Sequence, residues 1–454
     1  MPERHNGTMT APVVIDLGDL GAEQDEPPYP PWRWRALVST VLVLLCLAVL
    51  TGAHAADPGL SRPLWTVTPG TSDFVVGART VYASQPLGVV TGRDIVTGAV
   101  LWTLATRDYP VVIVDAGDLA AVATASGQAG TRLIDREGGV VATLPGFPAG
   151  ITRSGRRLLV VESADNPDCP DAVGVCGQVT AWDLGSRTAA WSADVHDLTL
   201  DIDPGGRIDA LATIAGNGTI EVRDPDSGGV RDQVRPLPLG ITARPGTSVI
   251  FFRTDVVTAV QTADDGVEIT LYRPFAVGWP RAGAWAIRVP QPAGAPERAG
   301  FDLTACGRML CLEVAGVGTT VIDPDRGQLR MTTPNRVRAW LASGLLLATS
   351  WIFAAGEDCL GCWDVTVVDP DAADAVATFH GSVAVPWIDA GGDGLLATTG
   401  RSGLTVYTVL RADGTTRTLG TVRGVQQPCT ARREVLVCYG DGSLRAWRLP
   451  LPTT

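Results

Sequence analysis

The stretch Asp94-Ile-Val-Thr-Gly98-Ala-Val-Leu-Trp102 decides the fold. It places an Asp after an apolar segment, a Gly four residues later and a Trp four residues after the Gly. At a strand end the Asp carboxylate can accept backbone N–H groups, and Gly can take the positive φ of a tight turn. The Trp can then pack from the returning strand. The stretch therefore predicts a β-hairpin.

The same element recurs along the chain in weaker copies. Asp183 and Trp191 keep the Asp-to-Trp spacing, and Asp369 keeps only the Asp. The copies that keep both the Asp and the Gly are Asp135 with Gly139, Asp224 with Gly228, and Asp323 with Gly327. A second hairpin pattern lies upstream in each copy, for example from Val112 to Val122. Two hairpins per copy predict a four-stranded antiparallel module.

The spacing of the copies, roughly 40 residues, is typical of propeller blades, which pack side by side around an axis. Counting the strand ends gives eight or nine blades. The segment Pro63 to Val67 has the pattern of an outer strand without its preceding turn, and Gly442 to Leu449 has that of a third strand without a partner. The two ends are expected to complete one blade. The predicted fold class is all-β, a β-propeller of four-stranded blades.

The Asp94 to Trp102 element and its copies resemble the quinoprotein-like (PQQ-like) β-propeller repeat, and Ala181-Trp182-Asp183 resembles WD40-type blades. The resemblance covers about residues 60 to 450. A catalytic quinoprotein would imply a quinone cofactor held by Trp and a vicinal Cys-Cys ring, together with Ca²⁺. The sequence has no Cys-Cys dipeptide. We therefore predict no cofactor, no metal and no catalytic residue, and assign the Trp residues to packing.

The N-terminal region is predicted to anchor the protein in a membrane. Ala36 to Ala53 is an apolar run of 18 residues without a charge, about the minimum for a spanning helix. Arg33 and Arg35 precede it, which places the N-terminus in the cytoplasm. The predicted domains are a disordered, acidic, Pro-rich cytoplasmic tail (1–35), a transmembrane helix (36–55), a linker (56–63) and the propeller (64–450). A signal peptide cleaved after Ala55 is the alternative.

The cysteines beyond the apolar run form four close pairs, which an oxidising compartment favours as local disulfides. The predicted pairs are Cys169 with Cys176, Cys306 with Cys311, Cys359 with Cys362, and Cys429 with Cys438. For Cys359-Leu-Gly-Cys362 the alternative is a redox or metal site. The sequence thus predicts a single-pass protein of the cell membrane, with its propeller outside the cytoplasm.

The composition and the remaining motifs argue against several classes of partner and of functional site. A net charge of −12 and a pI near 4.8 argue against nucleic acid as a partner. Asp201 and Asp203 precede a Gly pair and could contribute to a Ca²⁺ loop, but they coincide with a repeat turn. The four His residues match no nucleophile motif. His196 and His380 are assigned to loops.

Two functions of different class follow from these observations. The favoured prediction is a non-catalytic binding or scaffold module of the cell envelope, which presents its face or central channel to an unknown protein, glycan or small ligand. The alternative is an exported quinoprotein-type dehydrogenase, or another enzyme such as a hydrolase, with its site at the mouth of the channel. A pocket lined by carboxylates at the axis would favour the alternative.

Overall fold

The structure is a computed structural model that describes residue 60 and residues 62–451 with gaps. The gaps are 68–72, 86–87, 107–109, 125–129, 164–176, 196, 203–206, 215–218, 235–246, 253–254, 262–266, 273–285, 290–300, 315–317, 342, 352–362, 389–391, 401–402 and 425–427. Several predicted features lie outside the described residues: the tail, the membrane span, Cys169, Cys176, Cys359, Cys362 and Asp203. Among the residues that the structure does describe, no helix has the length and apolar character needed to cross a membrane.

Every regular element of the described chain is a β-strand. The first strands are β1 (Trp65–Val67), β2 (Asp73–Val76), β3 (Thr80–Gln85), β4 (Val89–Asp94), β5 (Val100–Ala105), β6 (Pro110–Asp115), β7 (Ala120–Thr124), β8 (Thr131–Ile134), β9 (Val140–Leu144), β10 (Phe147–Thr152), β11 (Arg157–Ser163), β12 (Gly177–Asp183) and β13 (Thr188–Val195). The middle strands are β14 (Asp197–Ile202), β15 (Arg207–Ile214), β16 (Ile220–Arg223), β17 (Val230–Val234), β18 (Thr247–Phe252), β19 (Asp255–Gln261), β20 (Val267–Tyr272), β21 (Ala286–Val289), β22 (Phe301–Cys306), β23 (Met309–Val314), β24 (Gly318–Asp323) and β25 (Gln328–Thr333). The last strands are β26 (Arg336–Trp340), β27 (Leu346–Trp351), β28 (Trp363–Asp369), β29 (Asp374–Phe379), β30 (Ser382–Val385), β31 (Trp387–Ile388), β32 (Gly394–Thr399), β33 (Leu404–Leu410), β34 (Thr416–Arg423), β35 (Cys429–Arg432), β36 (Val435–Gly440) and β37 (Ser443–Arg448).

Strand pairing divides these strands into four-stranded antiparallel units. Seven of the eight sheets hold one unit each and the eighth holds two, so the described strands make nine units. Units 1 to 7 are β2–β5, β6–β9, β10–β13, β14–β17, β18–β21, β22–β25 and β26–β29. Unit 8 is β30 with β32–β34, and unit 9 is β35–β37 completed by β1. The pairing of β1 with β37 is the one that the two sequence ends predict.

Successive units contact one another mainly through their first strands, as β6 does with β10 and β18 with β22. Two junctions also share backbone pairing. The end of β10 pairs in parallel with β15, and β31 pairs in parallel with β35 of unit 9. Four-stranded units joined in sequence through their first strands are the architecture of a β-propeller.

The core lies between the units, because the hydrophobic clusters of the described residues each join side chains of two successive units. Tyr82 and Trp102 of unit 1, for example, pack with Ala120 and Ile134 of unit 2. The second strand of a unit has neighbours on both faces, and β7 is buried along its whole length. The fourth strand begins exposed, as Val100 and Leu101 show in β5. The second strands therefore have continuous apolar sequences, whereas the fourth strands, which are exposed on one side, mix polar and apolar residues.

Candidate binding face

The turn between the third and fourth strands of unit 1 is held by Asp94. Its Oδ1 accepts hydrogen bonds from the backbone N–H groups of Val96 and Thr97, at 3.0 and 2.7 Å, and from the Thr97 hydroxyl at 2.9 Å. The Asp94 carbonyl accepts the N–H of Gly98 at 2.8 Å, and Gly98 has a φ of +70°. Oδ1 of Asp94 therefore binds its own turn.

Four other predicted Asp residues take the same role in their own units. In each case Oδ1 accepts the backbone N–H groups of the residues two and three positions further along the chain. The four Asp residues are Asp183, Asp224, Asp323 and Asp369. Gly228 and Gly327 take positive φ values of 70° and 61°, as Gly98 does. Arg187 and Ala373 occupy this left-handed position in the other two turns, with φ values of 58° and 56°.

The prediction that Gly139 takes the positive φ after Asp135 is wrong by one residue. Gly138 has the positive φ, at 86°, while the N–H of Gly139 donates to Asp135 Oδ1 at 2.7 Å. The turn is one residue shorter than the others, because the Gly138 N–H already bonds the Asp135 carbonyl. Because Gly138 and Gly139 are adjacent, the sequence alone does not show which of them takes the positive φ.

The expectation that Trp packs within its own Asp hairpin is also incomplete. Trp102 is 6% exposed and lies against Gly92 of its own unit, but it also covers Gly138 in the turn of unit 2. A Cβ added to Gly138 would lie 2.6 Å from Trp102 Cβ. The Trp of one unit therefore docks on the turn glycine of the next.

Two other Trp residues repeat this arrangement. Trp65 of unit 9 covers Gly98 of unit 1, and its Nε1 donates to the Ile95 carbonyl at 2.9 Å. Trp191 of unit 3 covers Gly228 of unit 4, and its Nε1 donates to the carbonyl of Pro225 at 3.1 Å. The Asp, Gly and Trp pattern thus encodes a clasp between units, in addition to a turn within each unit.

The sequence reading missed an Arg seven residues after two of the Asp residues. In units 4 and 6 the fourth strand has a β-bulge near its start, which brings the side chain at this position back to the turn. Arg231 forms an ion pair with Asp224, and Arg330 forms one with Asp323. The Asp-to-Arg spacing was visible in the sequence, but only the bulge makes the two residues neighbours.

A partly buried polar network joins units 9, 1 and 2. Asp115, at the end of β6, accepts the Tyr82 hydroxyl at 2.9 Å and the Ala78 N–H at 2.7 Å. Arg432 of unit 9 lies 3.8 Å from the same carboxylate and donates to the Val76 carbonyl at 3.3 Å. Burial, followed by the charge of Asp115, raises the pKa of Tyr82, so this phenol stays protonated. The network reinforces the region where the two chain ends meet.

These contacts gather at one end of the units, which we call the Asp-turn face. In each antiparallel unit, the connection from the first to the second strand and the connection from the third to the fourth strand lie at the same end. These connections together make up the Asp-turn face. Contacts between units join these ends: Ser154 Oγ of unit 3 donates to Asp226 of unit 4 at 2.6 Å. Arg308 of unit 6 likewise forms an ion pair with Asp371 of unit 7.

The turn carboxylates are held in their charged form. The N–H of Thr97 lowers the pKa of Asp94 most. For Asp323, burial raises the pKa, but the hydrogen bonds from Arg330 and the backbone outweigh it, so the pKa is lowered overall. A folded-state pKa below the unfolded value means that these groups stabilise the fold above about pH 4. The stabilisation is lost as the pH falls through the folded-state pKa.

This leads to a prediction for Asp94→Ala. At pH 7 the variant should lose about 1 kcal/mol of stability, because the turn N–H groups lose their charged acceptor at a partly wet site. As the pH falls through the folded-state pKa, the wild-type carboxylate becomes protonated, so the difference in melting temperature from the variant should narrow. Thermal melts of both proteins over a series of pH values from 7 downward test this. A difference that stays constant with pH would contradict the role of the charged carboxylate.

The structure joins two of the predicted cysteine pairs. Cys306 and Cys311 connect β22 to β23, with an S–S distance of 2.01 Å. Cys429 and Cys438 stand directly opposite each other on β35 and β36, with Cα atoms 4.1 Å apart. The Tyr407 hydroxyl lies 3.3 and 3.2 Å from the sulfur atoms of Cys429 and Cys438, and burial raises its pKa.

The other candidate sites have little support in the described chain. No group of three or more His, Cys, Asp or Glu residues there is placed to hold a metal ion. Asp201 lies in β14, opposite Ala210. His380 follows β29, and its Nδ1 lies 2.9 Å from Asp364 Oδ2, while Gly381 donates to the other oxygen at 3.1 Å. Asp364 thus holds the connection that leads from unit 7 to unit 8.

Comparison with known proteins gives structural likenesses alone. No protein-family model matches the chain. No curated protein sequence matches it either. Similar solved structures include a computationally designed protein, Ika8, with a TM-score of 0.43 and 11% identity over 86% of this chain and 100% of that one. BamB from Moraxella catarrhalis has a TM-score of 0.41 and 12% identity over 87% and 99%. The C-terminal WD40 domain of Sif2 has a TM-score of 0.42 and 8% identity over 87% and 99%.

Proposed function

We propose that this protein is a membrane-anchored propeller outside the cytoplasm, and that it acts as a non-catalytic binding or scaffold module of the cell envelope. Its nine units are the blades of one closed ring. The observation that carries the proposal is that the turn carboxylates on the Asp-turn face bond their own turns or the neighbouring blade. These contacts hold the turns in place and so build a rigid surface.

The turn carboxylates illustrate this use. A general base or a metal ligand needs a lone pair directed at the substrate or ion. Asp94 Oδ1 instead receives three hydrogen bonds from its own turn. Asp115 receives three, from Tyr82 in β3, from Ala78 in the connection between β2 and β3, and from Gly117 just beyond β6. Groups committed in this way fix the positions of loops, which is what a docking surface requires.

The cysteines and the apolar run support a location outside the cytoplasm. Disulfides persist in oxidising surroundings, and two local pairs are joined in the structure. The predicted transmembrane helix of 36–55, which contains the apolar run, supplies the anchor, with the N-terminus in the cytoplasm and the C-terminus outside. The partner is an envelope protein, a glycan or a small ligand.

Membrane fractionation tests the anchor. We expect the full-length protein to stay in the pellet when membranes are washed with alkaline carbonate, because a spanning helix resists this wash and a peripheral protein does not. Protease added to intact cells should digest the propeller and spare the N-terminal tail. Mature protein that begins at Ala56 in the soluble external fraction would contradict the anchor and support a cleaved signal peptide.

Peptide mapping without reduction tests the compartment. We expect Cys306 linked to Cys311 and Cys429 linked to Cys438, and we propose the same for Cys169 with Cys176 and Cys359 with Cys362. Each bridge closes a short loop, so removing one should cost about 2 kcal/mol or less. Thiols that label readily in the folded protein, or pairs between distant cysteines, would overturn the prediction.

The alternative of an exported enzyme has its own readout. A quinoprotein-type dehydrogenase would bind pyrroloquinoline quinone together with Ca²⁺. We expect titration with both to give no saturable binding. Saturable binding would reverse the assignment.

A further inference from the structure

Arginine side chains gather on the Asp-turn face of unit 3. Arg153 and Arg156 belong to the connection between β10 and β11, Arg157 begins β11, and Arg187 belongs to the turn between β12 and β13. The two connections are bonded, because the Leu184 N–H donates to the Arg156 carbonyl at 2.9 Å. We call these four residues the arginine patch. The side chains of Arg153, Arg156 and Arg187 are exposed.

The backbone at Arg187 gives a second, independent observation. Arg187 has a φ of 58°, in the left-handed region that favours glycine. The equivalent positions of units 1, 4 and 6 carry Gly98, Gly228 and Gly327. A long charged residue at this position adds no contact that the turn needs, and it strains the backbone. What it adds is a positive charge in a turn whose Leu184 is hydrogen-bonded to Arg156.

The equivalent connections of unit 1 lack this concentration of charge. There Arg79 matches Arg156, because its carbonyl accepts the Ile95 N–H at 3.0 Å. Its neighbours are Ala78 in the same connection and Gly98 at the left-handed position. The arginine patch is therefore a feature of unit 3 and not a general property of the repeat.

The acids near the patch are already engaged. Asp183 accepts the N–H groups of Gly185 and Ser186 at 3.0 and 2.8 Å. Asp209 pairs with Arg153 at 3.1 Å. Within the part of the chain that the structure describes, no acid forms an ion pair with Arg156 or Arg187. Two exposed guanidinium groups thus remain available to an external anion.

We propose that the arginine patch docks a short acidic segment of a protein partner. The proposal rests on the binding function proposed above and gives the site and the chemistry of that binding. A guanidinium group binds carboxylates in a two-point geometry, so side chains of Asp or Glu are suitable ligands.

The size of the patch favours a short segment over a long polyanion. The chain carries a net charge of −12, so the positive region is small beside the acidic whole. Electrostatic attraction at physiological salt acts over about 8 Å, which limits it to the patch itself. The net negative charge of the protein would repel a long nucleic acid, whereas a segment of a few consecutive carboxylates would extend little beyond the patch.

A peptide titration tests the proposal. The probe is a fluorescein-labelled peptide of ten glutamates, titrated with the full-length protein in a non-ionic detergent and followed by anisotropy. The double variant Arg156→Glu with Arg187→Gly should weaken binding roughly tenfold, because exposed charge pairs each contribute a small factor and one charge is reversed. Raising the salt from about 50 to about 300 mM should weaken wild-type binding in the same direction.

Two single variants separate binding from folding. Arg187→Gly restores the residue that other turns carry, so its melting temperature should stay equal or rise while its affinity for the peptide falls about twofold to threefold. Arg79→Glu makes the same charge change as Arg156→Glu at the matching position of unit 1, and it should leave the affinity within about twofold of wild type.

The proposal is overturned if the wild-type protein does not bind the glutamate peptide, or if Arg79→Glu weakens binding as much as the patch variants do. Tighter binding of a single-stranded oligonucleotide than of the peptide would also overturn it, because the ligand class would be wrong. Each of these results would leave the carbonate and protease tests of the anchored module unaffected, so the two proposals fail separately.

Discussion

Replacing Trp102 by Ala is expected to lower the free energy of unfolding by about 3 to 5 kcal/mol, the usual effect of truncating a buried Trp. The indole is 6% exposed and lies between Gly92 of its own blade and Gly138 of the next. Its loss would leave a cavity at a junction between blades, where neither glycine has a side chain to fill it. The melt should therefore move to lower temperature and become broader.

The neighbouring Leu101 is the matched control. Its side chain is 43% exposed on the same strand. Leu101→Ala should change the stability by no more than about 0.5 kcal/mol. If Trp102→Ala left the melt unchanged but abolished a measurable affinity for pyrroloquinoline quinone, the Trp would serve a cofactor, and the enzyme alternative would return.

Replacing Gly98 by Ala is expected to cost about 2 to 4 kcal/mol through two effects. A φ of +70° disfavours any residue with a Cβ by about 1 kcal/mol. The added Cβ would also lie 2.4 Å from Trp65 Cγ, so the indole that docks from unit 9 would have to move. Forcing atoms into a packed contact of this kind costs about 1 to 3 kcal/mol more.

Gly117 separates the two effects. It has a φ of +80°, and a Cβ added there would meet no described atom within 4 Å. Gly117→Ala should therefore cost only the backbone contribution, about 1 kcal/mol. Chemical denaturation of both variants gives the comparison. Equal losses for Gly98→Ala and Gly117→Ala would show that Trp65 does not dock on the turn.

The features that the sequence revealed were local. The Asp94 turn could be predicted because its partners, from Val96 to Gly98, lie within four residues. The join of the two chain ends was also predictable, since Trp65 to Val67 lacked a turn and Leu444 to Trp447 lacked a following strand. Both inferences need only the order of strands and the bonding capacity of short segments.

The features that the sequence concealed depend on neighbours in space. Nothing in the spacing of Trp102 shows that its indole crosses to Gly138, because the contact depends on how one blade packs against the next. The ion pair of Asp323 with Arg330 requires a bulge, and Asp115 meets Arg432 only because residues of units 9, 1 and 2 pack together. The patch around Arg187 was hidden for the same reason, since its arginines come from two connections.

The central claim is that the chain closes into one ring in which its first strand completes its last blade. Thr66 of β1 stands opposite Arg445 of β37. Oxidation of the full-length double variant Thr66→Cys with Arg445→Cys should join the two new thiols, while Thr66→Cys alone should keep a thiol that labels. We expect peptide mapping to find the new bridge, with the native pair of Cys429 and Cys438 intact, and the melting temperature to rise. Two thiols that stay free in the folded double variant would contradict the closed ring.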